Sequence, residues 1–434
     1  MLPRTSRCLA WFFFISSFAN AGVLVVDAAN GPGTDFTSLQ DAIGAAASGD
    51  VLLVRSGTYD APHVVSGMAI AIVADAGATV VVTNTNPNSF TSSALQVTAN
   101  ATQPTLLQGL ACVSGPASTT ATATAALRIS GNSASSAHVF VDSCDGLANV
   151  GNGIDAASPS STILTHCTAK GGDGAAVLPV IFVAGFGLFV GSGQVSAFDS
   201  AFVGGNGMDA NPAAASILIG GGSGVRVFSP GSVRNKVLSA CTVIGGLGGN
   251  GADQPVCLLP GNGGHGTETV AGLGPYLVDV NATGGQGGVH APNCTGGGGF
   301  AGVAHSTAFL GLPPLPLAGE PGRVLALAPK REGEAVGVTV EGAPNHATFL
   351  VIGFSPTHVI APELAGSLVV NPNTIVALGS MPPAGSITLS THAPTMPVGV
   401  EAGIVYLQPI TQDMTSGQAT LGAPSALVIL DQSL

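Results

Sequence analysis

Basic side chains are scarce in this sequence: Lys and Arg number 11 in 434 residues, against 23 Asp and Glu. No stripe of positive charge exists, which excludes nucleic acid and an anionic membrane surface as partners. Charge of either sign is thin, at 8% of residues. The single tryptophan is Trp11, and the tyrosines are Tyr59, Tyr276 and Tyr406. An aromatic platform of the kind that polysaccharide-active enzymes carry is therefore not expected. A long apolar run is missing too. Leu9 to Phe18 is too short for a permanent bilayer anchor. The run at 175–190 is broken by Pro179, Gly185 and Gly187, so it suits buried strands joined by turns. No CxxC spacing occurs among the cysteines, which removes zinc.

What is present points outward from the cell. Arg4 and Arg7, the apolar stretch after them and Ala19-Asn20-Ala21 have the order of a cleavable signal peptide over residues 1–21. Its removal takes two arginines and no acid, moving the net charge from −12 to −14. Secretion or a cell-surface location is expected, with no membrane span. The 63 glycines are too many for an ordinary helical domain, yet 46% of residues are hydrophobic, which excludes disorder. A core must exist, built from elements that tolerate glycine at their corners.

Residues 23–59 begin with an apolar strand and a Gly/Pro/Asp turn. A short helix is expected from Thr37 to Ala47: Thr37 and Gln40 form a capping box, and Leu39, Ile43 and Ala46 share one face. A lone amphipathic helix between short strands can cover the open end of a solenoid. Asp35-Phe36-Thr37, Leu39-Gln40, Ala42-Ile43, Gly49-Asp50, Val54, Gly57 and Tyr59 resemble the N-terminal cap phrase of pectate-lyase-like right-handed parallel β-helix proteins. The resemblance covers roughly 60 residues and implies a fold, since the same cap precedes lyases, esterases and non-enzymatic surface proteins.

Internal repetition supports that fold independently. Gly-Gly pairs recur in THCTAKGGDG (165–174), FDSAFVGGNG (198–207), SACTVIGGLG (239–248) and VDVNATGGQG (278–287). GFGLFV, GSGVRV and GHGTETV form a second repeated phrase, so each coil carries two short strands joined by Gly-rich corners. A β-propeller would need four alternating strands per repeat, which are absent. The expected class is all-β: a right-handed parallel β-helix over 22–312 behind a short α-helical cap, a Pro/Gly-rich linker at 313–322, and an antiparallel β-sandwich over 323–434. Phe198, Val243, Val278, Ile163 and Val225 are expected to point into the column, with Arg226 and Glu268 as outward neighbours.

Catalytic residues cannot be assigned. The repeat register places Asp142, His166, Asp199, Ala240 and Asp279 at one position before the coil corner, a row that could hold Ca²⁺ or a glycan. Asp155, Asp209 and Asp253 close Gly-rich turns in GNGID, GGNGMD and GGNGAD, which resemble half of a calcium-binding nonapeptide. Hydrogen bonding to corner and turn amides is the favoured account of both sets. Cys257 and Cys294 lie at matching depths in successive loops and should form a disulfide. Cys167 and Cys241, with Ser200 in the coil between them, should be buried free thiols, while Cys112 and Cys144 stay open. The expected function is non-catalytic: a structural, adhesive or glycan-binding protein facing an extracellular glycan or surface protein. The alternative is a polysaccharide lyase or hydrolase.

Overall fold

The computed structural model describes residues 22–85, 93–98, 104–115, 125–131, 137–157, 160–177, 180–209, 220–228, 231, 233–252, 257–294 and 297–434. The expected signal peptide lies outside them. Three parallel sheets build the first part of the chain. Sheet A has ten strands, from Val23–Val26 to Leu315–Leu317; sheet B has eight, from Gly57–Asp60 to Asn281–Thr283; sheet C has eight, from His63–Ser66 to His305–Leu312. The chain visits A, B and C in turn, and each strand pairs with its counterpart one coil away, as in Leu127↔Ile154↔Leu188↔Val225. This is a parallel β-helix. Its interior is a column of side chains such as Leu107, Val141, Leu164 and Leu238 from A, Phe202 and Val243 from B, and Leu127, Ile154 and Val225 from C.

The cap helix spans Leu39–Ala45 and buries Leu39, Ala42 and Ile43 over the first coil, with Ala46 partly buried. Ser38, not Thr37, is the N-cap, accepting from the Asp41 amide at 3.3 Å. Gln40 closes no capping box either. Its Oε1 accepts the Val64 amide at 2.8 Å and ties the helix to the first strand of sheet C.

From the third coil on, each A-to-B corner turns on one residue with left-handed backbone: Gly109, Ser143, His166, Asp199, Ala240 and Asp279, at φ between 42° and 73°. The next residue's amide has left the sheet A ladder and is buried, so it needs an acceptor. The following coil supplies one. Leu110 N–H donates to Cys144 Sγ (3.4 Å), Cys144 N–H to Cys167 Sγ, Cys167 N–H to Ser200 Oγ (3.0 Å) and Ser200 N–H to Cys241 Sγ. Burial pushes the Cys112, Cys167 and Cys241 thiols up to about 12, and Cys144 well above its ordinary value. All four are buried free thiols, protonated and therefore poor nucleophiles.

Beyond residue 322 the sheets are antiparallel, apart from one short parallel pairing of Lys330–Arg331 with the last strand. A three-stranded sheet (Arg323–Val324, Ala335–Glu341, Ser386–His392) packs on a larger one containing Ala347–Gly353, Thr374–Ser380, Ala402–Gln412 and Ser425–Leu430. Val336, Val338, Leu350, Leu407 and Ile429 fill the space between them. The other face of the larger sheet presents Val351, Tyr406, Ala426 and Val428 to the outside of sheet A. There it meets Leu53, Val73, Leu106, Phe140, Ile163 and Phe198; the Phe140 and Tyr406 rings meet edge to face at 5.1 Å. The sandwich therefore lies along the β-helix, and sheet A is buried on both faces. Val243 and Val225 point into the column as expected, but Ile163 and Phe198 point outward under the sandwich, and Val278 shares the register of Phe198. With both faces of a strand covered, apolarity no longer distinguishes inside from outside.

In the last four coils the B-to-C connections project as a two-layered wing. Outgoing segments bond to one another, as in Gly204 N–H to Ile244 O (2.8 Å), and so do returning ones, as in Gly224 N–H to His265 O (2.9 Å). The layers are joined through a zigzag of amides: Gly205 to Gly185, Gly222 to Gly205, Gly246 to Gly222, Gly264 to Gly246 and Gly285 to Gly264, all at 2.8–2.9 Å. Glycines facing the opposite layer recur every third residue, as at Gly246 and Gly249, the period of polyproline-II backbone. A Cβ on Gly246 would lie 1.9 Å from the Gly205 carbonyl oxygen. The final returning segment carries Ala301 and Ala304 where the preceding coil has Gly263 and Gly266, because no further coil stacks on it. Cys257 and Cys294 form a disulfide between the last two coils, with Cα atoms 5.7 Å apart.

Candidate functional site

The expected acidic row separates into a seam and an exposed remainder. Asp142 pairs with Thr165, not His166, so it precedes the corner by one residue and Ser143 takes the corner itself. Asp142 is fully buried against the sandwich. Its carboxylate accepts from Ser425 Oγ (2.9 Å), the Ala426 amide (3.0 Å) and Gln108 Nε2 (3.2 Å), and His166 Nδ1 lies 3.0 Å away. Asp199 receives a forked pair from Arg323 of the sandwich, at 3.2 and 3.1 Å. Burial opposes charge on His166, but the bond to Asp142 and the charges of Asp142 and Asp199 outweigh it and hold the imidazole above its ordinary value. Ala240 carries no functional group and Asp279 is exposed at the following corner. Farther along, burial, aided by His138, pushes His358 down to about 3. The neutral ring accepts from Ser161 Oγ at Nδ1 (2.8 Å) and donates from Nε2 to Ser196 Oγ (2.7 Å), which in turn donates to Ser367. These polar groups fasten two parts of the chain.

The turn carboxylates are dispersed. Asp209 is exposed on the wing and accepts the Asn250 amide of the next coil at 2.7 Å, an ordinary turn role. Asp253 lies outside the described residues. Asp155 sits on sheet C, apart from the wing that carries Asp209. Among the described residues no three His, Cys, Asp or Glu side chains come together as a metal site, and no helix is long and apolar enough to cross a membrane.

Sheet C carries a half-buried outer strip of polar and aromatic side chains. Its strands alternate, so one outward side chain per coil forms a strip: Arg128, Asp155, Phe189, Arg226, Glu268 and Ser306 in register. Arg226 and Glu268 are neighbours at 3.6 Å, as expected, and Ser223 Oγ donates to Glu268 at 2.8 Å. Arg128 Nε stands 4.0 Å from Asp155, and neither that nitrogen nor Asp155 Oδ1 has a hydrogen-bond partner. Burial, opposed by Arg128, pushes the Asp155 carboxyl up to about 6. Between these two pairs Phe189 stacks with Phe186 from the edge of the wing, rings 6.2 Å apart and 27° from parallel. The Arg226 guanidinium lies over the Phe186 ring at 4.7 Å.

A count of tryptophan and tyrosine leaves out phenylalanine, and a stacked Phe186–Phe189 pair is present on sheet C. GFGLFV already held both rings, spaced so that Phe186 ends the glycine segment and Phe189 starts the outward face of the strand. No protein-family model and no curated protein matches the chain.

Proposed function

We propose that the chain is a secreted or cell-surface, non-catalytic β-helix protein of pectate-lyase-like type that holds a glycan along sheet C. The observation that carries this reading is the Phe186–Phe189 pair set on the outer, partly exposed strip between Arg128–Asp155 and Arg226–Glu268. Phenyl faces pack on the C–H faces of sugar rings, and carboxylates and guanidinium groups bond hydroxyls in a fixed geometry. The cap phrase supports the superfamily, and the disulfide supports an oxidising compartment.

A lyase or hydrolase is the second reading, favoured by Asp155, whose raised carboxyl resembles a general acid. Its partner carboxylate on the strip would be Glu268, three strands away in register. At about 4.8 Å per strand that is roughly 14 Å, beyond the roughly 5–9.5 Å that glycosidases use. Titration calorimetry against a panel of neutral and acidic oligosaccharides tests the first reading. Binding is expected, weakened at least about tenfold in Phe189→Ala and Arg226→Ala. Equal affinity in both variants, or release of sugars that disappears in Asp155→Asn, overturns it.

A further inference from the structure

We propose that His166, held between Asp142 and Asp199, is a proton-operated latch that closes the sandwich onto the β-helix. Nδ1 lies 3.0 Å from Asp142 Oδ1 and Nε2 lies 3.8 Å from Asp199 Oδ2. Both carboxylates are also gripped from the sandwich side, Asp142 by Ser425 and the Ala426 amide, Asp199 by Arg323. Behind Arg323 stands Glu341 at 2.7 Å. The charged groups facing the ring are thus Asp142 and Asp199 from adjoining coils and Arg323 with Glu341 from the sandwich; Gln108, Ser143, Thr165 and Ser425 stand around them as neutral groups.

With the imidazolium in place, two cations oppose three carboxylates across the seam. Loss of its proton leaves Arg323 alone against three and leaves the fully buried Asp142 with neutral donors only, and a buried charge without a counter-charge is strongly unfavourable. The folded state holds the His166 proton more tightly than the unfolded chain does. Its stabilisation is therefore complete below the ordinary imidazole range and is lost as pH rises through the raised value. The latch opens toward alkaline pH. Arg323–Val324 and the start of Ser425–Leu430 lift first, uncovering the apolar strip of Phe140, Ile163 and Phe198.

Hydrogen exchange of the full chain at about pH 6 and pH 9, corrected for intrinsic rates, tests the latch. Peptides covering 323–331 and 424–430 should lose protection roughly tenfold at the higher pH, while those covering 51–54 and 71–74 stay protected. His166→Asn suits the left-handed corner, because Asn tolerates that backbone. It should show the weaker protection at both pH values. Wild-type protection that ignores pH, or an unchanged pH response in His166→Asn, overturns the latch. Should the variant not fold, the ring of His166 in the native chain can be titrated by NMR. A midpoint at or below about 6.5 overturns the proposal.

Discussion

The β-helix column and the glycine wing solve one problem in opposite ways. In the column, backbones stand apart and the space between is filled by side chains such as Leu107, Leu127 and Phe202, so stability comes from apolar burial. In the wing, backbones approach until no Cβ fits, and cohesion comes from amide-to-carbonyl bonds between layers. Each such bond contributes only about 1 kcal/mol net. Glycine also loses more chain entropy on ordering than any other residue. The wing is therefore stable only while attached to coils that fix its register at both ends. Its last two coils carry the Cys257–Cys294 disulfide, which restrains the unfolded chain where the stack ends.

The contrast can be broken from either side. Phe202→Ala opens a cavity in the column and should cost about 4 kcal/mol, read as a lower unfolding midpoint in urea. Gly246→Ala does the reverse, adding one methyl group where the Gly205 oxygen would be 1.9 Å away. It should cost roughly 3 kcal/mol. Ala301→Gly, at the closing edge of the same wing, should cost under about 1 kcal/mol. If Gly246→Ala proves as mild as Ala301→Gly, the wing is not packed on its backbone.

A smaller effect of opposite sign belongs to the outer surface of the column. Asp155 has its folded-state carboxyl raised from 3.8 to about 6 by burial. Its protonated form therefore favours the fold, and that advantage is lost as pH rises from the ordinary carboxylate range through 6. Asp155→Asn should stabilise the protein by on the order of 2 kcal/mol above pH 7, and by little near pH 4. Thermal unfolding of both proteins across that range checks this. The same variant should weaken glycan binding if the strip is a recognition surface kept at a cost in stability.

Much of the architecture was legible because it obeys simple periods. The cap helix announced itself through Leu39 and Ile43, the coils through Gly-Gly pairs, and the Cys257–Cys294 bond through matching loop depth. Ile163 and Phe198 were assigned to the wrong face for one reason. Strands such as Val51–Val54 and Ala71–Ala74 are apolar at every position because the sandwich covers their outer face. That continuous apolarity was the sign that sheet A had a second partner, whereas Thr168–Lys170 and Thr242–Ile244 of sheet B alternate and face outward. Asp142 was misplaced because its coil has Ser143 at the corner, and a one-residue slip on a strand reverses the face. Phe186 and Phe189 needed three dimensions, since a ring on a glycine segment and one on a strand share no period.

The subtlest comparison lies within the column, where the corner cysteines do by side chain what the wing does by backbone. Cys167 Sγ receives the Cys144 amide, and Cys167's own amide is received by Ser200 Oγ. The ladder requires an acceptor, not sulfur. Cys167→Ala removes that acceptor and leaves the buried Cys144 amide unpaired, which should cost about 1–3 kcal/mol. Cys167→Ser restores an oxygen in a position Ser200 already fills one coil on, so it should recover at least half of that loss. Ser200→Cys should be nearly neutral for the same reason. Equilibrium unfolding of the three variants under reducing conditions, which keep the buried thiols comparable, provides the measurement. Equal losses for Cys167→Ala and Cys167→Ser would mean that sulfur volume in the column, not hydrogen-bond acceptance, is what the row supplies.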